Sequence, residues 1–113
     1  MPVIKLDPSI IYFTHAKIKP HFSTGKPIID TYQEIATKKI NTTDIPIINV
    51  YCVNDKYYSL NNRRLYLFKM CKNNGLLPEN VIHVNLKKIP SKKVLQRFLS
   101  NDYSLVTKPV IIK

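Results

Sequence analysis

Two spacings of apolar residues alternate along the chain. Ile10-Ile11-Tyr12-Phe13, Ile47 to Val53, Tyr57 to Leu60 and Val81 to Leu86 are short β-prone runs bounded by turn formers, the pattern of strands. Asn54-Asp55-Lys56 between the second and third of these predicts a hairpin. Ile28, Tyr32, Ile35, Ala36 and Ile40 recur instead at helical spacing and predict a helix from Pro27 to about Lys39. Pro27 suits the first helical position, where its missing N–H does no harm. Arg63 to Cys71 predicts a second helix that buries Leu65, Leu67, Phe68 and Cys71, with Asn62 as N-cap and Asn73-Asn74-Gly75 as a left-handed stop. A third helix is predicted over Lys92 to Leu99, capped by Ser91, with Val94, Leu95, Phe98 and Leu99 facing inward. Thr14 to Pro27 is rich in turn formers and predicts a loop. Val106 to Lys113 reads as a final strand or an extended arm.

The order strand, loop, helix, hairpin, helix, strand, helix predicts an α+β fold: a small mixed sheet with packed helices. A length of 113 residues suits one domain, residues 1–113, with its core over about 10–90 and a C-terminal helix and tail over 91–113. An apolar content of 44% speaks against disorder. No apolar run approaches the roughly 20 residues that span a bilayer, so no membrane partner is expected. Met1 to Asp7 contains no long apolar stretch of the secretory type. Cys52 and Cys71 lack metal-ligand spacing and read as reduced thiols of an intracellular protein, cytoplasmic or nuclear, with a single disulfide left open. No metal site is predicted.

Charge adds a class of partner. The net charge of +11 favours polyanions, which include nucleic acid, nucleotides and anionic membrane surfaces; a nucleotide or nucleic acid is the expected partner. Fifteen of the eighteen cations are lysines, solvated point charges rather than the planar forks that grip phosphate in pairs. An AT-rich genome, which encodes lysine, isoleucine and asparagine freely, is the competing account of this basicity.

The most informative chemistry sits where a strand turns into a helix, at Tyr57-Tyr58-Ser59-Leu60-Asn61-Asn62-Arg63-Arg64. The first turn of a helix offers unpaired N–H groups and partial positive charge, and so favours an anion. Cations are disfavoured there, so Arg63 and Arg64 are locally unfavourable unless an anion resolves the conflict. The bland alternative is surface pairing of the two arginines with Asp30, Glu34 or Asp44. If the first strand lies beside the hairpin, the loop carrying His15, Lys17, Lys19, His21, Ser23, Thr24 and Lys26 reaches the same end of the sheet. Thr24-Gly25-Lys26 lacks the spacing and second glycine of a Walker A loop. The seven carboxylates form no recognisable pair, and no Cys-His or Ser-His motif is present. His15, His21 and Asp30 are the remaining candidate bases. Tyr51, Tyr57 and Tyr58 read as a stacking face for bases or as half-buried strand tyrosines.

Asp44-Ile45-Pro46-Ile47-Ile48-Asn49-Val50, followed by the hairpin to Asp55-Lys56-Tyr57-Tyr58-Ser59-Leu60-Asn61-Asn62-Arg63-Arg64-Leu65, resembles the ParB/sulfiredoxin superfamily. It is particularly similar to an uncharacterised ParB-like branch with a Ser-Leu-x-Asn-Arg-Arg-Leu turn. The loop at Ile18-Lys19-Pro20, the following helix and the Val81–Leu86 strand fit the same order. The resemblance implies a ParB/sulfiredoxin-like fold whose turn holds nucleotide phosphates, CTP in ParB and ATP in sulfiredoxin. By that resemblance Arg63 and Arg64 grip phosphate. Together with the helix-end reading this predicts a phosphate site at Asn61, Asn62, Arg63 and Arg64, helped by the loop residues Lys17, Lys19, Ser23, Thr24 and Lys26, for a nucleoside di- or triphosphate with Mg2+ as cofactor. Some relatives are nucleases and others phosphotransferases, which keeps both reactions as alternatives. A nonspecific nucleic-acid-binding module is the third. Asn62 stands where sulfiredoxin has cysteine and ParB has glutamate, and an amide is neither thiolate nor general base, so sulfinic-acid reduction is not expected. Asn61 replaces a glycine, and asparagine tolerates a positive φ there.

Overall fold

The computed structural model describes residues 2–100 and 109–111. They form a small α+β fold with seven strands and three helices. Strands β1 (Val3–Leu6), β2 (Ile11–Tyr12), β4 (Ile48–Val53), β5 (Lys56–Ser59) and β6 (Ile82–Leu86) build one mixed sheet in the order β1-β6-β4-β5-β2. β4 pairs antiparallel with β5 and parallel with β6, while β2 runs parallel to β5 at one edge and β1 antiparallel to β6 at the other. The hairpin turn is tighter than expected: Asn54 (φ 51°) and Asp55 (φ 64°) both take left-handed conformations, as a two-residue mirror-image turn requires, and Lys56 already belongs to β5.

Strand alternation gives the sheet two buried faces. Ile48 and Val50 of β4 and Val84 of β6 point to one side, where they meet Ile28 and Ile35 of α1 (Ile28–Ala36) and Leu65, Phe68 and Cys71 of α2 (Asn62–Asn73). Val53 and Tyr58 point to the other, where Phe98 of α3 (Lys92–Ser100) covers them together with Tyr12 and Tyr51. Burial resolves the two readings of the tyrosines. Tyr58 stacks on Tyr12 at 5.6 Å, Tyr51 meets the edge of Phe98 at 5.4 Å, and Tyr57 packs against the main core. Cys52 is exposed and Cys71 buried, both free, and burial pushes the Cys71 thiol up to about 11. Among the described residues no helix is long and apolar enough to cross a membrane.

Several boundaries differ from the sequence expectation for definable reasons. β1 was not anticipated, and Ile10 closes a short 3-10 turn instead of opening β2. Pro27 is the N-cap of α1 rather than its first residue. α1 stops at Ala36 instead of Lys39, because Lys38 takes a left-handed φ of 63° and the N–H of Lys39 closes back on the Glu34 carbonyl at 2.9 Å. The predicted stop of α2 has the same geometry with its usual residue: Gly75 at φ 70°, and the Leu76 N–H on the Cys71 carbonyl at 2.8 Å. α2 itself begins at Asn62 and runs to Asn73. Ser91 caps α3 through the Val94 N–H, but Leu99 faces outward, 47% exposed, where it was expected inside. Inside the predicted loop, β3 (Lys17–Ile18) pairs parallel with β7 (Val110–Ile111). Residues 106–108 and 112–113 of the predicted tail lie outside the described residues.

Candidate functional site: the cleft at the start of α2

β5 ends at Ser59, and two residues later the chain enters α2. Because β2 lies parallel beside β5, the segment leaving β2 passes directly over this junction. The two walls enclose a cleft of about 440 Å³. One wall carries His15, Lys17, Lys19 and Ser23; the other carries Asn61, Asn62, Arg63 and Arg64. Ile18, Phe22 and Leu60 supply its apolar surface. No carboxylate lines the cleft among the described residues.

The helix start inside this cleft carries no side-chain cap. Asn61, the N-cap, has φ −134°, so the left-handed conformation expected from its glycine-like place is not used. Its side-chain oxygen turns back to the sheet and accepts the Asn49 N–H at 2.7 Å. Asn62 is not the N-cap but the first helical residue, and its amide is committed as well. Asn62 Oδ1 accepts the Thr14 N–H at 2.9 Å, and Nδ2 donates to Thr14 Oγ1 at 2.9 Å. Thr14 Oγ1 in turn donates to the Ser59 carbonyl at 2.9 Å. These bonds fasten the ends of β2 and β5 to the helix start. They also leave the N–H groups of Asn62, Arg63 and Arg64 without a protein acceptor among the described residues, since the first helical bond is Leu65 N–H to the Asn61 carbonyl.

The arginines are held by backbone carbonyls rather than carboxylates. Arg63 donates to the His21 carbonyl at 2.7 Å, and Arg64 to the Ile47 carbonyl at 2.7 Å and more weakly to Pro46 at 3.3 Å. The described ion pairs involve other residues, Lys26 with Glu34 and Lys72 with Asp7, so the expected alternative of pairing with Asp30, Glu34 or Asp44 is not realised. Each guanidinium is therefore fixed in direction while no carboxylate among the described residues compensates its charge. Partial burial pulls the Arg64 pKa down from its ordinary value by desolvation.

The residues singled out from sequence divide cleanly. Eight come together at the cleft: His15, Lys17, Lys19, Ser23, Asn61, Asn62, Arg63 and Arg64. Thr24 and Lys26 sit outside it, on a tight turn closed by the Phe22 N–H to Lys26 carbonyl bond at 2.9 Å, with Gly25 at φ 90°. His21 contributes its carbonyl to Arg63 while its side chain is absent from the lining, and Asp30 lies exposed in the first turn of α1. Thr14, Ser59 and Asn49, which brace the junction, were not anticipated. The outward Lys17 and Lys19 flanking a buried Ile18 are a period-two signal that could have revealed β3 and its cationic edge. No cluster of three or more metal-ligating side chains occurs among the described residues. The comparisons with known proteins add no relative: no family model matches the chain, and neither a curated protein nor a solved structure matches it.

Proposed function

We propose that this is a phosphate-binding domain of ParB/sulfiredoxin-like type, which takes a nucleotide or nucleic-acid phosphate at the start of α2. The observation that carries the reading is an uncapped helix start opening into a cleft whose charged walls are entirely cationic. Free N–H groups, the positive end of the helix dipole and two fixed guanidinium groups all favour an anion at one place. The element order from β2 through β6 supports the family assignment, which the sequence motif suggested first.

Magnesium fits this donor set poorly. Hard dications seek oxygen ligands, typically carboxylates, and the charged lining here is cationic. The phosphate charge is therefore met by the protein's own cations. The nuclease and phosphotransferase alternatives lose support, because of the candidate bases only His15 reaches the cleft.

Calorimetry with ATP, ADP, CTP and GTP, with and without magnesium, tests the reading. Wild type should bind at least one of them, and bind no more tightly when magnesium is present. Removing a charge-assisted hydrogen bond costs about 1.5–3 kcal/mol, so Arg63→Ala/Arg64→Ala should weaken binding by at least about tenfold. Lys17→Ala/Lys19→Ala, on the exposed opposite wall, should weaken it without disturbing the α2 junction. No binding by wild type, or equal binding by both variants, would overturn the proposal.

A further inference from the structure

A second cationic surface lies on the other face of the sheet, on α3 and the segment leading into it. Between Glu79 and Asp102 the sequence holds five cations, Lys87, Lys88, Lys92, Lys93 and Arg97, and no carboxylate. The segment is anchored to the fold. The Lys87 N–H donates to the Val50 carbonyl at 2.9 Å, while Ile89, Val94 and Leu95 pack around Phe98. With those residues inward, Lys92 and Lys93 are left on the outer surface of α3, and Lys88 is exposed just before it. None of these three lysines has a carboxylate partner among the described residues.

This clustering has an electrostatic cost that solvent only partly relieves. Lys92 and Lys93 occupy the first turn of α3, where the helix dipole opposes positive charge, and no acidic residue is present there to compensate. Like charges repel one another across this short stretch until a polyanion supplies several phosphates at once. A single small anion could satisfy one lysine, whereas a phosphate backbone satisfies the row. Lysine suits such a contact, since backbone recognition asks for point charge rather than a fixed fork.

We infer that the surface of Lys88, Lys92 and Lys93 binds the phosphate backbone of a nucleic acid without reading its sequence, independently of the α2 cleft. An anionic membrane is the competing partner for lysines. Surface binding to lipid calls for exposed aromatic or long aliphatic side chains beside the cations. Pro90, Ser91 and Gln96 are exposed beside the cluster, and Ile89 packs against Phe98. Leu99, about two turns from Lys92, is the one large exposed aliphatic of α3 among the described residues, too little apolar surface to seat the helix in lipid. The chemistry therefore favours nucleic acid.

Fluorescence anisotropy with a 20-base-pair duplex of arbitrary sequence, titrated over a salt series, tests the inference. Wild type should bind with an affinity that falls steeply with salt. In Lys88→Ala/Lys92→Ala/Lys93→Ala, the slope of log affinity against log salt should shrink by about 2 to 3, near 0.9 per lost phosphate contact. The corresponding triple arginine variant should keep the wild-type slope. Calorimetric binding of free nucleotide should be unchanged in the triple alanine variant, and Arg63→Ala/Arg64→Ala should retain the lysine-dependent part of the slope. Those two arms separate failure here from failure of the cleft reading. An unchanged slope in the triple alanine variant, or no duplex binding by wild type at low salt, would overturn the inference. So would lysine-dependent sedimentation with phosphatidylserine vesicles in the absence of lysine-dependent duplex binding.

Discussion

The α2 cleft and the α3 surface are both cationic, but they hold their charge in opposite ways. At the cleft, each arginine is aimed by a backbone carbonyl, and the helix start is fastened to β4, to β5 and to the end of β2 through Thr14, Ser59, Asn61 and Asn62. At α3, Lys88, Lys92 and Lys93 reach into solvent with no partner to fix them among the described residues. Fixed donors suit one phosphate in one position, because their ordering has been completed before a ligand arrives. Solvated lysines suit a partner whose position along the surface is indifferent. Net charge alone, +11 for the chain, cannot separate these two kinds of site. What separates them is the hydrogen bonding behind each cation.

The largest test of that contrast strikes the brace behind the cleft. Asn62→Ala leaves the N–H of Thr14 without its acceptor in a part-buried place, and an unsatisfied buried donor costs about 1–3 kcal/mol. Urea unfolding should show that loss, whereas Lys92→Ala should stay within about 0.5 kcal/mol of wild type. Asn62→Asp sharpens the point. Its carboxylate still accepts from Thr14, so more stability survives than in the alanine variant, yet its negative charge should abolish anion binding at the cleft. If Asn62→Ala were as harmless as Lys92→Ala, the junction would not be braced in the way described.

A smaller effect is expected from Arg63. Its bond to the His21 carbonyl crosses from α2 to the segment that forms the opposite wall, so it acts as a strap as well as a cation. Arg63→Ala should lose about 1 kcal/mol and speed amide exchange at Phe22 and Gly25, whose N–H groups close the adjacent turn. Triple replacement of the α3 lysines should leave those same amides unchanged. Faster exchange in both variants would mean that the strap is not what orders the wall.

How much of this was legible in the sequence depended on whether local chemistry or distant partners decided each feature. The stop of α2 was readable because Gly75 supplies the left-handed residue that the motif needs. The stop of α1 uses the same geometry with Lys38, which no propensity rule would choose. β1 and β3 were missed because each is made by pairing: Val3–Leu6 is a strand through β6, and Lys17–Ile18 through residues 110–111. The cationic turn was visible, since Arg-Arg at a helix start conflicts with the dipole on sequence grounds alone. The work of its asparagines was not. Asn61 and Asn62 look like caps or ligands in sequence, and only the proximity of Asn49 and Thr14 turns them into struts.

The smallest expected effect compares the two helix starts directly. Lys93 lies in the first turn of α3 without a carboxylate partner among the described residues, so Lys93→Glu replaces a charge opposed to the helix dipole with one that complements it. The gain should be about 0.3–1 kcal/mol at low salt and should fade as ionic strength rises, because an exposed charge is screened. The equivalent reversal at α2, Arg64→Glu, improves the dipole term in the same way but removes donors from the Ile47 and Pro46 carbonyls. Lost bonds to a charged donor outweigh a dipole gain of that size, so the second variant should melt below wild type while the first melts at or above it. A shared sign for both variants would show that the dipole, and not the carbonyl anchoring, governs the charge at the cleft.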